Sequence, residues 1–388
     1  MGKLKRLVLT ANDSIDHINW LLGLKSGFQA LGIDVLTVWP YPDTTRLNAV
    51  IEGFKPDAIF EINRSKDMIE TRKNLFHVTF IQDFWAYEIY YADTTGESDL
   101  YYTMLPPANF GYSKEVDDRA KVIFPSSSMG DHYLGDKAEK RFDMGLIGHM
   151  GTLDRQLLMR PILPSIPKIG RYIDLIKSCR INHTTICNSL YASRIRSSVY
   201  QFLENKGLLN PQQDYKIIFD KCVNLCTMTF TRTINRSFIA SAMLDVSDKV
   251  GFWGSRGWQA NPKFSPYYQG FLSGSAMLAN AYQSLHLNIH CTGTNIHPRI
   301  VDAMVVGVPN AIVRNDADET RFGITSYLER DVDYIDLDCE NFVDKLSDVL
   351  KEPKYLAELG KRGREKALKL FTWERICTMV RDDIEAKL

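Results

Sequence analysis

A chain of 388 residues, 45% hydrophobic and 24% charged, with 47 Lys+Arg balancing 47 Asp+Glu, has the composition of a soluble globular protein. It is too long for one ordinary core, so two domains are expected. No apolar run reaches the ~18 residues of a transmembrane helix, and the apolar run in MGKLKRLVLTAND is too short for a signal peptide, which points to a cytoplasmic protein.

The seven cysteines are odd in number and scattered, which suits a reducing compartment and free buried thiols. Cys222 and Cys226 stand four apart, as do His183 and Cys187, but no second close pair completes a tetrahedral zinc set, so no metal is expected. The balanced charge is unevenly spread: residues 1–130 carry 13 Lys+Arg against 17 Asp+Glu, and residues 151–240 carry 13 against 5. The basic block reads first as a solvated helical face, then as a phosphate-handling surface or a site for an anionic partner.

In chain order, residues 5–10 predict a strand, and the spacing of Ile18, Leu21, Leu22, Leu24, Phe28 and Leu31 predicts a helix ending at Gly32. Strands follow at 33–39, at 57–62 after a further helix, at 76–83 and at 121–124. Alternation of this kind predicts a parallel sheet covered on both faces, with ligands at the carboxyl ends of its strands. The turn-rich stretch 125–141 is the candidate boundary, and FDMGLIGHMG opens a new strand. Residues from about 152 to 245 read as helical with no clear strand. Strand and helix then alternate again: strand 249–253, helix 274–284, strand 287–290, helix 298–306, strands 310–314 and 332–335, and terminal helices. The chain therefore reads as two Rossmann-like halves facing a cleft, the second carrying a helical insertion.

The densest site signal is NIHCTGTNIHPRIVDAMVVGVPNAIV. An apolar strand ends at His290, a small polar loop follows, and Pro298 opens a helix whose free N–H groups and dipole attract an anion. Thr292, Gly293, Thr294 and Asn295 allow close approach, Arg299 adds a bidentate contact for phosphate, and Asp302 can accept hydrogen bonds from vicinal hydroxyls such as a ribose. The same residues equally suit a capped structural unit in which Arg299 and Asp302 pair. Two further strands end in glycine, at Gly148 and Gly254; neither fits a dinucleotide fingerprint or a P-loop, and each alone is also a plain tight turn. In the first half, Asp13 and His17 lie beyond the first strand as candidate general bases, Asp13 doubling as a helix cap, and Asp83 ends the fourth strand as an alternative. No other hydrolase, metalloprotease or kinase motif is present.

The blocks FDMGLIGHMGTLDRQLLM, VGFWGSRGW, SPYYQGFLSGSAMLANAYQSLHLNIH, HPRIVDAMVVGVP and FTWERI, in this order across residues 143–375, resemble the GT-B glycosyltransferases of group 1 type, and within them the CgeB-like (spore maturation protein-like) branch. The first half matches less closely, chiefly through VTFIQD. The resemblance implies an α/β GT-B fold with an acceptor domain over 1–130 and a donor domain over 131–371 that carries the insertion. It also implies that the helix of 372–388 crosses back to the first domain.

It implies a metal-independent hexosyltransferase type with no bound cofactor. A nucleotide-sugar, expected as a UDP-sugar, serves as co-substrate, and the acceptor is a hydroxyl on a glycan, lipid-linked sugar or protein side chain. His297, Arg299 and Asp302 match the family's block, which carries a glutamate at the last place; a second family glutamate is Thr294 here, which leaves retaining against inverting stereochemistry open. Arg155 matches a basic position that could reach the diphosphate. Alternatives are a phage-type DNA-base glycosyltransferase, a sugar-nucleotide epimerase and a non-catalytic nucleotide-sugar-binding protein. The first half is net acidic and shows no basic stripe interleaved with aromatics, which ranks nucleic acid below the other acceptors.

Overall fold

The computed structural model describes residues 3–13, 15–66, 75–81, 98–104, 106, 114–123, 126–127, 139–151, 159–162, 166–179, 191–209, 218–219, 222–223, 225–226, 229–292, 295, 297–319 and 322–388. The chain divides into two compact units: Met1–Leu134 with Ile296–Val305 and Glu365–Leu388, and Gly135–Asn295 with Val306–Arg364.

The first unit is built on a six-stranded sheet in the order β2-β1-β3-β4-β5-β6. Its strands are β1 (Arg6–Thr10), β2 (Asp34–Val38), β3 (Ala58–Ile62), β4 (Phe76–Ile81), β5 (Leu100–Thr103) and β6 (Ala120–Val122), all in parallel register. The central strands β1, β3 and β4 are buried almost along their whole length, as parallel strands covered on both faces are. The order reverses between β1 and β3, which makes the carboxyl end of β1 the ligand-prone position of this sheet.

Helix α1 (Ile15–Ala30) buries Trp20, Leu21, Leu24 and Phe28 and stops at Gly32, whose φ of 76° suits a residue without a side chain. Helices α2 (Thr44–Phe54) and α3 (Lys114–Arg119) follow; α2 starts where the Asp43 carboxylate accepts the Arg46 N–H at 2.8 Å. Within β3 the fully buried Glu61 is paired with Arg64 and, at 2.8 Å, with His77 of the neighbouring β4, so its carboxylate is compensated.

The second unit has a six-stranded parallel sheet in the order β12-β11-β10-β7-β8-β9, with β7 at Phe142–Ile147, β8 at Val250–Trp253, β9 at Tyr268–Gly270, β10 at Leu285–His290, β11 at Asn310–Val313 and β12 at Ile335–Leu337. Counted from its own first strand, this is the 3-2-1-4-5-6 order of a dinucleotide-type Rossmann sheet, with its switch point between β7 and β10. Among the described residues, 159–246 form helices and one isolated bridge between Pro161 and Arg171. These include α4 (Tyr172–Ser178), α5 (Tyr191–Asn205), a π-helical turn over Phe230–Asn235 and α6 (Arg236–Val246). Part of this region packs its own small core around Leu175, Ile195, Val199, Leu203 and Cys222.

The remaining helices are α7 (Gly257–Ala260), α8 (Ser275–Gln283), α9 (Pro298–Val305), α10 (Phe342–Leu350), α11 (Pro353–Leu370) and α12 (Trp373–Glu385). Thr372 caps α12 by accepting the Arg375 N–H at 3.3 Å. In the first unit α12 lies on α1, its Trp373 ring against Gly23 and its Cys377 against Gly27. The Trp373 indole donates to the Ser127 carbonyl at 2.9 Å, and Tyr102 donates to Asp383 at 2.6 Å.

Four sequence expectations need correction. Strand β5 falls in a stretch with no assigned strand, because four consecutively buried residues leave no alternation to read. Strand β9 is a three-residue edge fixed by its bulged pairing with β8. The last strand is displaced from 332–335 to 335–337, since Asp331 takes a left-handed φ of 56° and exposed Val332 sits in the resulting turn. Cys179, Cys222, Cys226, Cys291 and Cys377 are buried free thiols, whereas Cys339 is disulfide-bonded. No helix among the described residues is long and apolar enough to cross a membrane.

Candidate functional site

In the second unit the switch point opens onto the loop after β7. Gly148 and Gly254 end neighbouring strands, and their backbones touch: a Cβ on Gly254 would overlap the Gly148 carbonyl, and its φ of 133° is itself one that L side chains rarely adopt. Three successive carbonyls of this loop turn into the protein. That of Gly148 accepts the Trp258 indole N–H at 2.7 Å, that of His149 accepts the Arg236 guanidinium, and that of Met150 accepts the Ser255 hydroxyl at 2.7 Å. A trans peptide sets its N–H opposite its C=O, so the N–H groups of His149, Met150 and Gly151 point away from these donors. The carbonyl side of this turn, at the carboxyl end of the central strand, is thus taken up by protein donors, the Arg236 guanidinium among them.

Arg236 is 4% exposed, and its guanidinium carbon lies 3.0 Å from where a Cβ on Gly148 would stand. Glycine at 148 therefore lets the guanidinium approach the turn. Phe271, just after β9, is 52% exposed and stacks on the half-buried His149 ring at 6.1 Å between centroids and 20° between planes. An open aromatic face at this end of the sheet is a stacking platform for a planar group.

The loop after β10 is braced from β11. His290 and Thr292 are linked through Nε2 and Oγ1 at 3.2 Å. The Asn315 amide approaches the Thr292 carbonyl at 3.5 Å. Asn295 is buried and donates through Nδ2 to the Val313 carbonyl and to Asp318 Oδ2, both at 2.8 Å. Gly293 and Thr294 lie outside the described residues, as do Arg155 and Asp83.

In the first unit, α9 is buried almost all round. His297 Nδ1 accepts the Arg299 N–H at 3.2 Å, which satisfies one donor of the first turn, and Pro298 removes another. Arg299 is half-buried, and no carboxylate among the described residues pairs with its side chain. Asp302 is 1% exposed and accepts the Ser127 hydroxyl at 2.9 Å. The internal Arg299–Asp302 pair is thus not formed, and Asp302 holds the Ser127 hydroxyl as a protein partner. Asp13 is exposed at the carboxyl end of β1, while His17 is buried and hydrogen-bonded to Asn12. Of these two candidate bases, Asp13 is the open one.

The structure therefore brings Gly148 and Gly254 together and ties Asn295 to the carboxyl end of β11. Arg236, His149, Phe271 and Asp318 escaped sequence reasoning. Arg236 sits in the helical stretch that carries no motif, although its membership of the basic 151–240 block is a signal that could have flagged it.

Residues 232–381 match a family model described as glycosyl transferase-like. Comparison with curated proteins returned no match. Among solved structures, the Anabaena protein Alr3699/HepE in complex with UDP shares 12% identity and a TM-score of 0.44 over 99% of this chain and 100% of its own. The spinosyn forosaminyltransferase SpnP shares 11% identity and a TM-score of 0.47 over 98% and 99%. The glycosyltransferase VinC in complex with dTDP shares 11% and 0.45 over 98% and 100%.

Proposed function

We propose that this protein is a glycosyltransferase of GT-B type that moves a sugar from a nucleoside-diphosphate sugar, a UDP-sugar first, to an acceptor hydroxyl. The observation that carries the reading is the glycosyl transferase-like match over 232–381, a stretch that holds Arg236, the glycine-ended β8 and the β10–α9 segment. The parallel sheet with its switch point between β7 and β10 supports it, because that is where such sheets take nucleotides.

In this reading the N–H groups of residues 149–151 hold the diphosphate, Arg236 fixes their turn from behind through the His149 carbonyl, and Phe271 with His149 carries the base. The small loop residues Thr292, Gly293, Thr294 and Asn295 admit the donor, and Arg299 neutralises charge that grows as the nucleoside diphosphate departs from the anomeric carbon. Preorganised donors of this kind supply the electrostatic stabilisation without a metal, so activity is expected to survive EDTA. Asp13 takes the proton of the acceptor hydroxyl. The acceptor is a glycan, a lipid-linked sugar or a protein side chain, consistent with the acidic balance of residues 1–130. Within the group, the blocks of residues 143–375 favour the CgeB-like branch.

The test is calorimetric titration with UDP, followed by hydrolysis and transfer assays over several UDP- and dTDP-sugars. Binding of UDP, and release of it from one donor, is the expected result. Absence of binding and turnover across that set overturns the reading. Conversion of the donor to its epimer without release of UDP would replace it with epimerase chemistry.

A further inference from the structure

Asp318 lies in a 3-10 turn after β11, 2% exposed, and three connections converge on it. Its Oδ2 accepts the Asn295 amide at 2.8 Å and the Asn315 backbone N–H at 2.9 Å, and its carbonyl accepts the Thr325 hydroxyl at 2.6 Å. Asn315 in turn reaches the Thr292 carbonyl. One carboxylate is thus tied to two polar positions, Thr292 and Asn295, of the loop that runs from β10 towards α9.

The remaining atoms of this cluster are out of balance. Asp318 Oδ1 and Asn295 Oδ1 are both buried acceptors that meet no donor. Unsatisfied buried acceptors are costly, the more so when one belongs to a charged group. A proton on Asp318 Oδ1 would turn one of the two into a donor while leaving Oδ2 to accept from Asn295 and Asn315. The groups facing Asp318 from neighbouring elements are Arg330, Asp336 and Tyr334. The hydrogen bonds from the Asn315 N–H and the Asn295 amide favour the charged form, and so does Arg330, which also faces Asp336 at 3.8 Å and pairs with Glu319, while Asp336 opposes a second charge beside it. Burial is the larger influence and pushes the Asp318 carboxyl up to about 7.

We propose that Asp318 is a positioning residue for the donor site, fastening Asn295 and through Asn315 the Thr292 carbonyl, and that its neutral form holds these two residues most firmly. The consequence for donor binding rests on the glycosyltransferase reading; the bracing itself does not.

Two variants of the full chain test it. Asp318→Asn keeps an acceptor for Asn295 and Asn315 and places a permanent donor where Oδ1 stands, imitating the neutral acid. Asp318→Ala removes the brace. Amide hydrogen exchange over 290–297, without nucleotide and corrected for intrinsic rates, reads the loop directly. In the wild type, exchange is expected to quicken between about pH 6 and about pH 8, as the carboxyl ionises. Asp318→Asn should stay slow at both pH values. Asp318→Ala should exchange about tenfold faster at both, having lost the hydrogen bonds from Asn295 and Asn315. UDP affinity should follow the same pattern, weakening about tenfold in Asp318→Ala. An Asp318→Asn protein whose loop exchange and UDP affinity keep the wild-type pH dependence overturns the proposal. So does an Asp318→Ala protein that stays folded with 290–297 protected. If loop exchange responds as expected but wild type binds no UDP, the brace stands and the donor-site reading fails.

Discussion

Asp318 also makes a stability prediction of its own. An ordinary aspartate has a pKa of ~3.9 when unfolded, and burial holds this one at about 7 in the folded chain. Between those values the folded state keeps a proton that the unfolded state releases, so the contribution of Asp318 to stability falls as pH rises from about 4 to about 7 and levels off above. Asp318→Asn should therefore gain on the wild type across that window, by on the order of 2–4 kcal/mol at neutral pH, and show no gain at about pH 4. Urea denaturation at a series of pH values measures it, and a difference independent of pH would assign the titration elsewhere. Arg236 makes the second prediction at this scale. Arg236→Ala should lower UDP affinity about tenfold or more, while Arg236→Lys recovers only part, since an ammonium lacks the planar fork of the guanidinium. Among sequence-named residues, Asp302 shows why reading by spacing has limits. Its partner, Ser127, lies 175 positions away, and nothing local to PRIVDAM announces it.

At the scale of elements, the contact of α1 with α12 depends on two glycines one helical turn apart. Gly23 and Gly27 leave room for Trp373 and Cys377, and any Cβ at Gly23 would overlap the indole. Gly23→Ala should cost about 1–3 kcal/mol through overpacking, and Trp373→Ala about 3–5 kcal/mol through the cavity it leaves and the lost bond to the Ser127 carbonyl. Thermal unfolding ranks the two, and an Ala at 23 that is neutral would mean that α12 shifts freely on α1. Helices with clear periodicity and glycine stops, such as α1 and α9, were legible in the sequence to within a residue or two. Strands β5 and β9 were not, because three or four residues carry no period and the pairing that makes them strands is supplied by β4 and β8.

At the scale of the molecule, the first unit is assembled from three separated segments of the chain. Its last segment supplies α12, which covers α1 and anchors Leu4 through Glu385 at 3.0 Å. A chain ending at Leu370 should therefore become sensitive to limited proteolysis within residues 3–66 while residues 250–350 stay protected. Equal resistance of both stretches would show that the first unit holds without its final helix.

The sequence by itself determined the α/β class, the succession of most strands and helices, the helical character of the described residues within 152–245 and the position of the β10–α9 segment. These follow from local periodicity, capping and turn chemistry, which neighbouring residues carry between them. Only the tertiary structure decided the strand order that puts a switch point between β7 and β10, the burial of Arg236 behind Gly148, the engagement of Asp302 by Ser127 and the placing of Asp318 under Asn295. Each depends on which distant segments come to share a sheet or a core, and the free energy of those contacts has no signature in any short stretch of chain.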